Sequence, residues 1–274
     1  MSDQWNAMNP VAKDNLLGIL RREAEGFLAL AEDAARWESP TACSNWQVRD
    51  VVGHMIDATE GYFPGFELAQ ASQEATDQPI GLRPMADRLD ERARSHRSAS
   101  RAEVMDRLRS DLERAMGIYE GLSDEQWAGM MVFHPYAGPL PAAFYPWFQL
   151  VDYGVHSWDI REHLGPPHGL AGDTADMLAP LALIVLQITA DTDNVAEPFT
   201  VGIRNTSGPN AGTWQMKVAK EGLAYEPGPV DDLPAVLEFD PATLVLTAYG
   251  RMRAGTTRGD TALADQFRSL FFKL

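Results

Sequence analysis

Residues 152–160, Asp-Tyr-Gly-Val-His-Ser-Trp-Asp-Ile, lie within a helix that is predicted over about residues 142–164. In a helix, positions i and i+4 project from the same face, so the side chains of Asp152 and His156 can both reach one atom. Asp159 follows on this stripe, where its carboxylate can orient an imidazole ring. The segment therefore predicts part of a metal site that another helix must complete.

A third ligand is available on a second predicted helix, in the segment Trp-Gln-Val-Arg-Asp-Val-Val-Gly-His of residues 46–54. Ser44 and Gln47 have the spacing of a capping box at the start of this helix, and His54 lies in its body. If the two helices are neighbours in a bundle, two imidazoles and one carboxylate meet, which is the ligand set of a catalytic zinc or similar divalent ion. The spacing alone leaves the alternative of an ordinary salt-bridge partner at 152 and a hydrogen-bonded histidine at 54.

The apolar period changes near residue 195, which predicts two domains. Before this point, apolar residues recur at helical spacing in five predicted helices. Two of them span about 10–37 and 142–164, and the other three begin at the 44–47 capping box, at the Ser100–Glu103 capping box and at the N-cap Asp173. Residues 82–100 are predicted to be a solvated excursion, and the prolines of 131–141 exclude a helix there. After residue 195 the period is two, which predicts strands at 199–203, 214–218 and 236–239, with helices opening at Asp240 and Asp260. We expect a mainly α domain over 1–170 and a small α+β domain over 171–274.

Composition limits the partners of the chain. Its 274 residues carry a formal charge of −16 and have a pI near 4.7, so nucleic acid and anionic membrane surfaces are poor partners. The N-terminus has no signal-peptide pattern, and the longest apolar run, 177–188, is too short to cross a bilayer. We expect a cytoplasmic protein that is a monomer or a small homo-oligomer.

Cys43 is the single cysteine, which excludes an intramolecular disulfide and a zinc site of several thiolates. It lies at a helix start, but neither histidine nor lysine adjoins it in sequence, so we expect a small, partly buried residue rather than a nucleophile. Any thiol chemistry would then need a sulfur from a cosubstrate.

Three segments, 46–54, 122–127 (Leu-Ser-Asp-Glu-Gln-Trp) and 152–160, resemble the marks of the DinB-like helical bundles. More narrowly, the chain resembles the mycothiol-dependent maleylpyruvate isomerase family, and its tail (237–240, 249–251 and 259–260) is similar to the sterol-carrier-protein-like domain that accompanies this bundle. The resemblance implies a DinB-like four-helix bundle that binds a divalent metal, usually zinc, followed by a small α+β domain. It also implies a mycothiol-type thiol as cosubstrate.

Residue by residue, the resemblance implies metal-binding histidines at His54 and His156. The carboxylate between them is usually Glu in the family and is Asp152 here, with a side chain one methylene shorter. The family's active-site arginine falls on Arg251, in the Gly-Arg motif, and Arg253 is the nearest substitute. Without the resemblance, both arginines would be solvated surface residues.

The leading functional hypothesis is a metal-dependent enzyme that uses such a thiol. A divalent ion that coordinates a thiol lowers its pKa and so provides a thiolate at neutral pH. Addition of the thiolate to an unsaturated acid permits cis–trans isomerisation, whereas retention of the adduct gives an S-transferase. His134 and Tyr136, in the loop before the 142–164 helix, are the candidates for substrate contact. The alternatives are a metal-dependent hydrolase or cyclase without thiol, and a non-catalytic small-molecule-binding protein.

Overall fold

The computed structural model describes residues 3–43, 45–162 and 168–273. The chain divides into two units. The bundle unit is Asn6–His168, and the C-terminal unit combines Met1–Trp5 with Gly169–Leu274. The predicted fold class, mainly α with a later α+β part, is confirmed by the structural likeness reported below.

Four long helices make up the bundle unit: α1 (Lys13–Ala31), α2 (Val48–Gln70), α5 (Arg101–Gly121) and α7 (Phe144–Arg161). The short helices α3 (Leu82–Ala86) and α4 (Leu89–Ala93) and a 3-10 turn (Arg94–His96) connect α2 to α5, and α6 (Asp124–Gly129) follows α5. Helix α1 packs against α7, and α2 packs against α5. Their apolar stripes form the core, with Leu20, Phe27, Ile56 and Leu108 fully buried.

The start of the first predicted helix is confirmed, but its end is wrong. Asn9 caps a 3-10 turn over Pro10–Ala12, and α1 follows directly. Helix α1 ends at Ala31 instead of residue 37, because residues 32–35 are exposed and have no apolar face to bury.

The cap of α2 also differs from the prediction. Ser44 lies outside the described residues. Gln47 is the N-cap, and it exchanges hydrogen bonds with Asp50 in a capping box. The Ser100–Glu103 box of α5 is confirmed, and Ser123 with Gln126 caps α6 in the same way.

Residues 82–100 are exposed or half-buried apart from Ala93, as predicted for a solvated excursion, but residues 82–97 are bound closely to α2. Arg97 donates two hydrogen bonds of 2.7 Å to the buried carboxylate of Asp50. A Cβ at Gly53 would lie 2.3 Å from the backbone oxygen of Ala93, so only glycine permits this approach.

The proline-rich segment 131–141 forms a hairpin of β1 (Met131–His134) and β2 (Gly138–Pro141), in agreement with the exclusion of a helix there. The hairpin packs on α2, since a Cβ at Gly65 would lie 2.3 Å from the backbone oxygen of Phe133. Helix α7 follows with Pro146 in its first turn. The predicted helix stop at 165–167 lies outside the described residues.

The C-terminal unit begins with α8 (Gly172–Thr189), whose N-cap is Ala171; Asp173, the predicted cap, lies in its first turn. Among the described residues, α8 is the one helix long and apolar enough to cross a membrane, and 61% of that stretch is buried within the protein. Its apolar side chains pack on α9 (Pro241–Ala248) and on the sheet. Such burial is typical of a core helix.

The sheet of the C-terminal unit has the order β5-β4-β3-β6-β7. Strands β3 (Phe199–Asn205) and β4 (Gly212–Ala219) form the predicted hairpin, β6 (Ala235–Phe239) lies parallel to β3, and α10 (Thr261–Arg268) follows the Asp260 cap. Strands β5 (Gly222–Pro227) and β7 (Thr256–Gly259) were not predicted. Both are edge strands, and β7 (Thr-Thr-Arg-Gly) has no apolar residue that could show a period.

Candidate metal centre

Helices α2 and α7 bring together the three predicted metal ligands. One nitrogen from His54, one from His156 and a carboxylate oxygen of Asp152 lie within 4.8 Å of one another. His54 Nε2 is 3.9 Å from Asp152 Oδ1, and the two imidazole ring centres are 5.0 Å apart. The three side chains are 7–19% exposed, so the cluster is accessible and yet largely removed from bulk water.

Asp159 orients the second histidine. Its Oδ2 lies 2.8 Å from His156 Nδ1, and its side chain is fully buried. Because an ionised carboxylate only accepts hydrogen bonds, Nδ1 carries the proton and Nε2 keeps its lone pair for a ligand. The structure thus places Asp159 where the spacing along the helix predicted.

Trp46, the first residue of the 46–54 segment, covers the cluster. Its ring centre lies 5.2 Å from that of His54 and 6.0 Å from that of His156. The indole Nε1–H donates a 2.7 Å hydrogen bond to Asp90 on α4, which fixes the ring in place. The segment 82–97 therefore supports the site through Trp46, a role that its charged composition did not indicate.

Cys43 lies closer to the site than the sequence suggested. It is half-buried, as expected, but its Sγ–H donates to Asp159 Oδ2 at 3.0 Å, and Sγ is 3.7 Å from His156 Nδ1. More than 110 residues separate Cys43 from these two partners along the chain, so no local signal in the sequence could reveal the contact. The thiol adds a third member to the network behind the metal ligand.

His134 and Tyr136 lie at the tip of the β1–β2 hairpin, outside the ligand cluster. The His134 ring is 8% exposed and has its centre 5.7 Å from those of Tyr62 on α2 and Phe148 on α7. Phe148 lies one turn before Asp152 on α7. The hairpin thus places His134 against α2 and α7, the two helices that carry the cluster.

Arg251 and Arg253 belong to the C-terminal unit. Arg251 follows α9, is half-buried and donates to the Tyr249 backbone oxygen at 2.8 Å. Arg253 forms a 3.1 Å ion pair with Asp265 on α10, and two-thirds of its side chain is exposed. Within its own unit, Arg253 is a surface residue.

The ligand cluster suits a borderline divalent ion. Two donors of one tetrahedral zinc lie roughly 3.4 Å apart when each ligand distance is about 2.1 Å, and the 3.9 Å between His54 and Asp152 is close to this value. The nitrogen-rich set and the fixed His156 tautomer favour zinc over magnesium or calcium. Asp152 reaches the cluster despite its shorter side chain.

The fold and the cluster define a helical bundle in which two helices bring together three side chains that could hold a divalent metal ion. Residues 18–161, just over half of the chain, match the family described as "Mycothiol maleylpyruvate isomerase N-terminal domain". The chain therefore belongs to the mycothiol maleylpyruvate isomerase family, as the resemblance predicted.

Solved structures agree with this assignment. The crystal structure of the mycothiol-dependent maleylpyruvate isomerase is similar with a TM-score of 0.61 and 14% identity, over 91% of this chain and 94% of that one. A variant of that isomerase with one histidine replaced by alanine gives the same values. At this identity the likeness establishes the fold. No curated protein matches the chain.

Proposed function

We propose that the chain is a mycothiol-dependent isomerase of a cis-unsaturated acid. The observation that carries the proposal is the cluster of His54, Asp152 and His156 within 4.8 Å in a bundle of this family. The substrate named for the structural relative, maleylpyruvate, is the first to test. We further propose a cytoplasmic location, since the thiol is an intracellular type of cosubstrate.

His54, Asp152 and His156 would hold a divalent ion, and zinc is the ion their chemistry fits best. When bound, such an ion lowers the pKa of a thiol that coordinates to it. Asp159 keeps the His156 ring in one orientation, and Trp46 excludes water from one side of both imidazoles. The groups around the cluster therefore hold the two imidazoles in place for a metal ion.

A carboxylate on the substrate or on the cosubstrate requires a cation, and we assign this role to Arg251. A guanidinium offers paired donors to two carboxylate oxygens. Tyr136 and His134 are proposed on the substrate side of the bundle unit. Arg253 is the less suitable cation, because it lies two residues beyond the Gly-Arg motif.

The S-transferase, the thiol-independent hydrolase or cyclase, and the non-catalytic binding protein are the competing functions. Isomerisation regenerates the thiol, whereas transfer consumes it in equal amount with the substrate. A hydrolase would act without thiol. A binding protein would be indifferent to a chelator. Thiol consumption, thiol requirement and sensitivity to a chelator thus distinguish the three alternatives from the isomerase.

The test measures zinc content and thiol-dependent turnover of maleylpyruvate on the purified full-length protein. We expect about one zinc per chain, loss of both metal and turnover in His54→Ala/His156→Ala, and retention of both in His168→Ala, a histidine outside the cluster. Equal trace metal in all three proteins would overturn the metal site. Turnover without thiol would indicate the hydrolase or cyclase instead of the isomerase. Consumption of thiol in equal amount with the substrate would indicate the S-transferase.

A further inference from the structure

The imidazole of His134 is held in one tautomer by the hairpin that carries it. The backbone N–H groups of Tyr136 and Ala137 both donate to His134 Nδ1, each at 3.3 Å. A nitrogen that accepts two hydrogen bonds carries no proton, so the proton of the neutral ring lies on Nε2. The turn is itself fixed, since the N–H groups of Ile80 and Gly81 donate to the backbone oxygens of Pro135 and Tyr136.

The surroundings of His134 keep this ring neutral. Four aromatic rings surround it, with centres 5.7–5.9 Å away, those of Tyr62, Tyr136, Tyr145 and Phe148. Burial lowers the pKa of His134 to about 4, although the negative charge of Asp152 acts in the opposite direction. The guanidinium of Arg92 lies 5.5 Å from the ring centre of Tyr136, one of these four neighbours.

The Nε2–H of His134 remains available to a ligand. Among the residues that the structure describes, none forms a hydrogen bond with His134 Nε2. This nitrogen is also not one of the buried polar atoms that lack both a partner and solvent contact. Phe148, which packs on the His134 ring, precedes Asp152 by one helical turn, a rise of about 5–6 Å. The contact of the His134 ring with α7 one turn before Asp152, together with the electrostatic effect of Asp152 on this ring, suits a ligand that extends from the cluster to the donor.

We propose that His134 is a catalytic residue whose Nε2–H donates a hydrogen bond to the carbonyl oxygen conjugated with the substrate's double bond. The inference rests on the proposed isomerase function. Attack of the thiolate forms an S–C bond at the β-carbon, and the electron pair of the C=C bond moves to the carbonyl oxygen as an enolate. The fixed Nε2–H stabilises this oxyanion without transferring its proton. Rotation about the resulting C–C single bond and return of the electron pair then expel the thiolate.

The first test is independent of activity. In long-range ¹H–¹⁵N spectra of the full-length protein without substrate, we expect the His134 ring to be neutral and protonated on Nε2 from pH 8 to pH 5.5, while an exposed histidine titrates. Protonation on Nδ1, or an imidazolium at pH 6.5, would overturn the proposal and leave the proposed isomerase function intact. Spectra of His134→Asn identify the signal.

The second test separates the donor from the fold. His134→Asn keeps an acceptor near the position of Nδ1 and removes the Nε2 donor, and we expect kcat to fall about 10²–10³-fold with a smaller change in KM. His134→Gln returns an amide donor near the Nε2 position, and we expect it to restore part of kcat.

Tyr145→Phe is the matched control, because Tyr145 lies in the same aromatic cluster but its hydroxyl donates to the Val132 backbone oxygen instead of to a ligand. Its kcat should stay within a few-fold of wild type. Wild-type kcat in folded His134→Asn would overturn the proposal. Turnover without thiol in the wild-type protein would overturn the proposed function instead, so the two failures differ.

Discussion

At the scale of single residues, the site depends on groups behind the ligands. Asp159 accepts hydrogen bonds from both His156 and Cys43 while it is fully buried. A buried carboxylate in this place fixes the imidazole orientation and increases the electron density on the ligand nitrogen. The ligand and its supporting carboxylate therefore act as a unit.

Replacement of Asp159 by Asn should weaken metal binding. The amide oxygen is a weaker acceptor than a carboxylate, so we expect the Kd for zinc to rise about 10–100-fold. Competition with a chromophoric chelator measures this change. Asp106→Asn is the control, since Asp106 is 80% exposed on α5. An unchanged Kd in folded Asp159→Asn would contradict the role of Asp159.

Asp111 on α5 is half-buried, and its Oδ2, which is shielded from solvent, has no hydrogen-bond partner within the described part of the chain. Burial, together with the charge of Glu60, raises the pKa of Asp111 to about 6. A raised carboxyl pKa in the folded state means that the ionised form destabilises the protein above that pH. This destabilisation disappears below the ordinary pKa of an aspartate, where Asp111 is protonated in both the folded and the unfolded state.

Asp111→Asn should therefore increase the free energy of unfolding at pH 7.5 by roughly 1–2 kcal/mol, which is the two-unit shift reduced for partial solvent contact. The gain should vanish near pH 4. Urea unfolding at both pH values measures it, and Asp106→Asn serves again as the exposed control. An equal gain at both pH values would mean that ionisation is not its cause.

At the scale of elements, α2 organises the bundle unit through two glycines. Gly53 lets segment 82–97 approach on one side, and Gly65 lets β1 approach at another point of the helix. Because His54 follows Gly53 and His134 is the last residue of β1, the placement of both histidines depends on close packing against this helix. The N-terminal capping box of α5 and the exclusion of a helix over 131–141 followed from the sequence. The tight approaches did not, since a glycine in a helix has the same local pattern whatever packs on it.

Gly65→Ala should lower the free energy of unfolding by about 1–3 kcal/mol, because the new Cβ would overlap the backbone oxygen of Phe133. Gly61→Ala on the same helix is the matched control. Among the described residues, no neighbouring atom lies within 4 Å of its Cβ position, so Gly61→Ala should gain up to about 1 kcal/mol from helix propensity. Urea unfolding followed by circular dichroism compares them. If both variants increased the free energy of unfolding, β1 would be able to move away from the new Cβ at little cost.

At the scale of the whole molecule, two units of different architecture share one chain. The bundle unit contains the three ligands, whereas the proposed carboxylate-binding residue Arg251 belongs to the C-terminal unit. The unfolded chain does not hold His54 close to Asp152 and His156, and the folded bundle does. Metal binding should therefore be linked to folding of the protein.

Zinc at 100 times its Kd should therefore stabilise the full chain by about 2.7 kcal/mol. Thermal unfolding with and without zinc measures this shift, and a chelator should reverse it. Magnesium at the same concentration should have no effect, because imidazole is a poor ligand for it. The His54→Ala/His156→Ala variant should not respond to zinc; an equal response there would place the bound zinc elsewhere.

The sequence by itself determined the helical half, the later β-rich half, and the face of α7 that carries Asp152, His156 and Asp159, because periodicity and i,i+4 spacing are local properties of a helix. It also predicted the family from short motifs. Only the tertiary structure decided that Cys43 reaches Asp159, that Asp90 on a charged segment holds Trp46 over the two imidazoles, and that the hairpin fixes His134 as an Nε2–H donor. These contacts join residues 44 to 116 positions apart or depend on the path of a turn, and no local pattern records which segments will meet when the apolar faces pack.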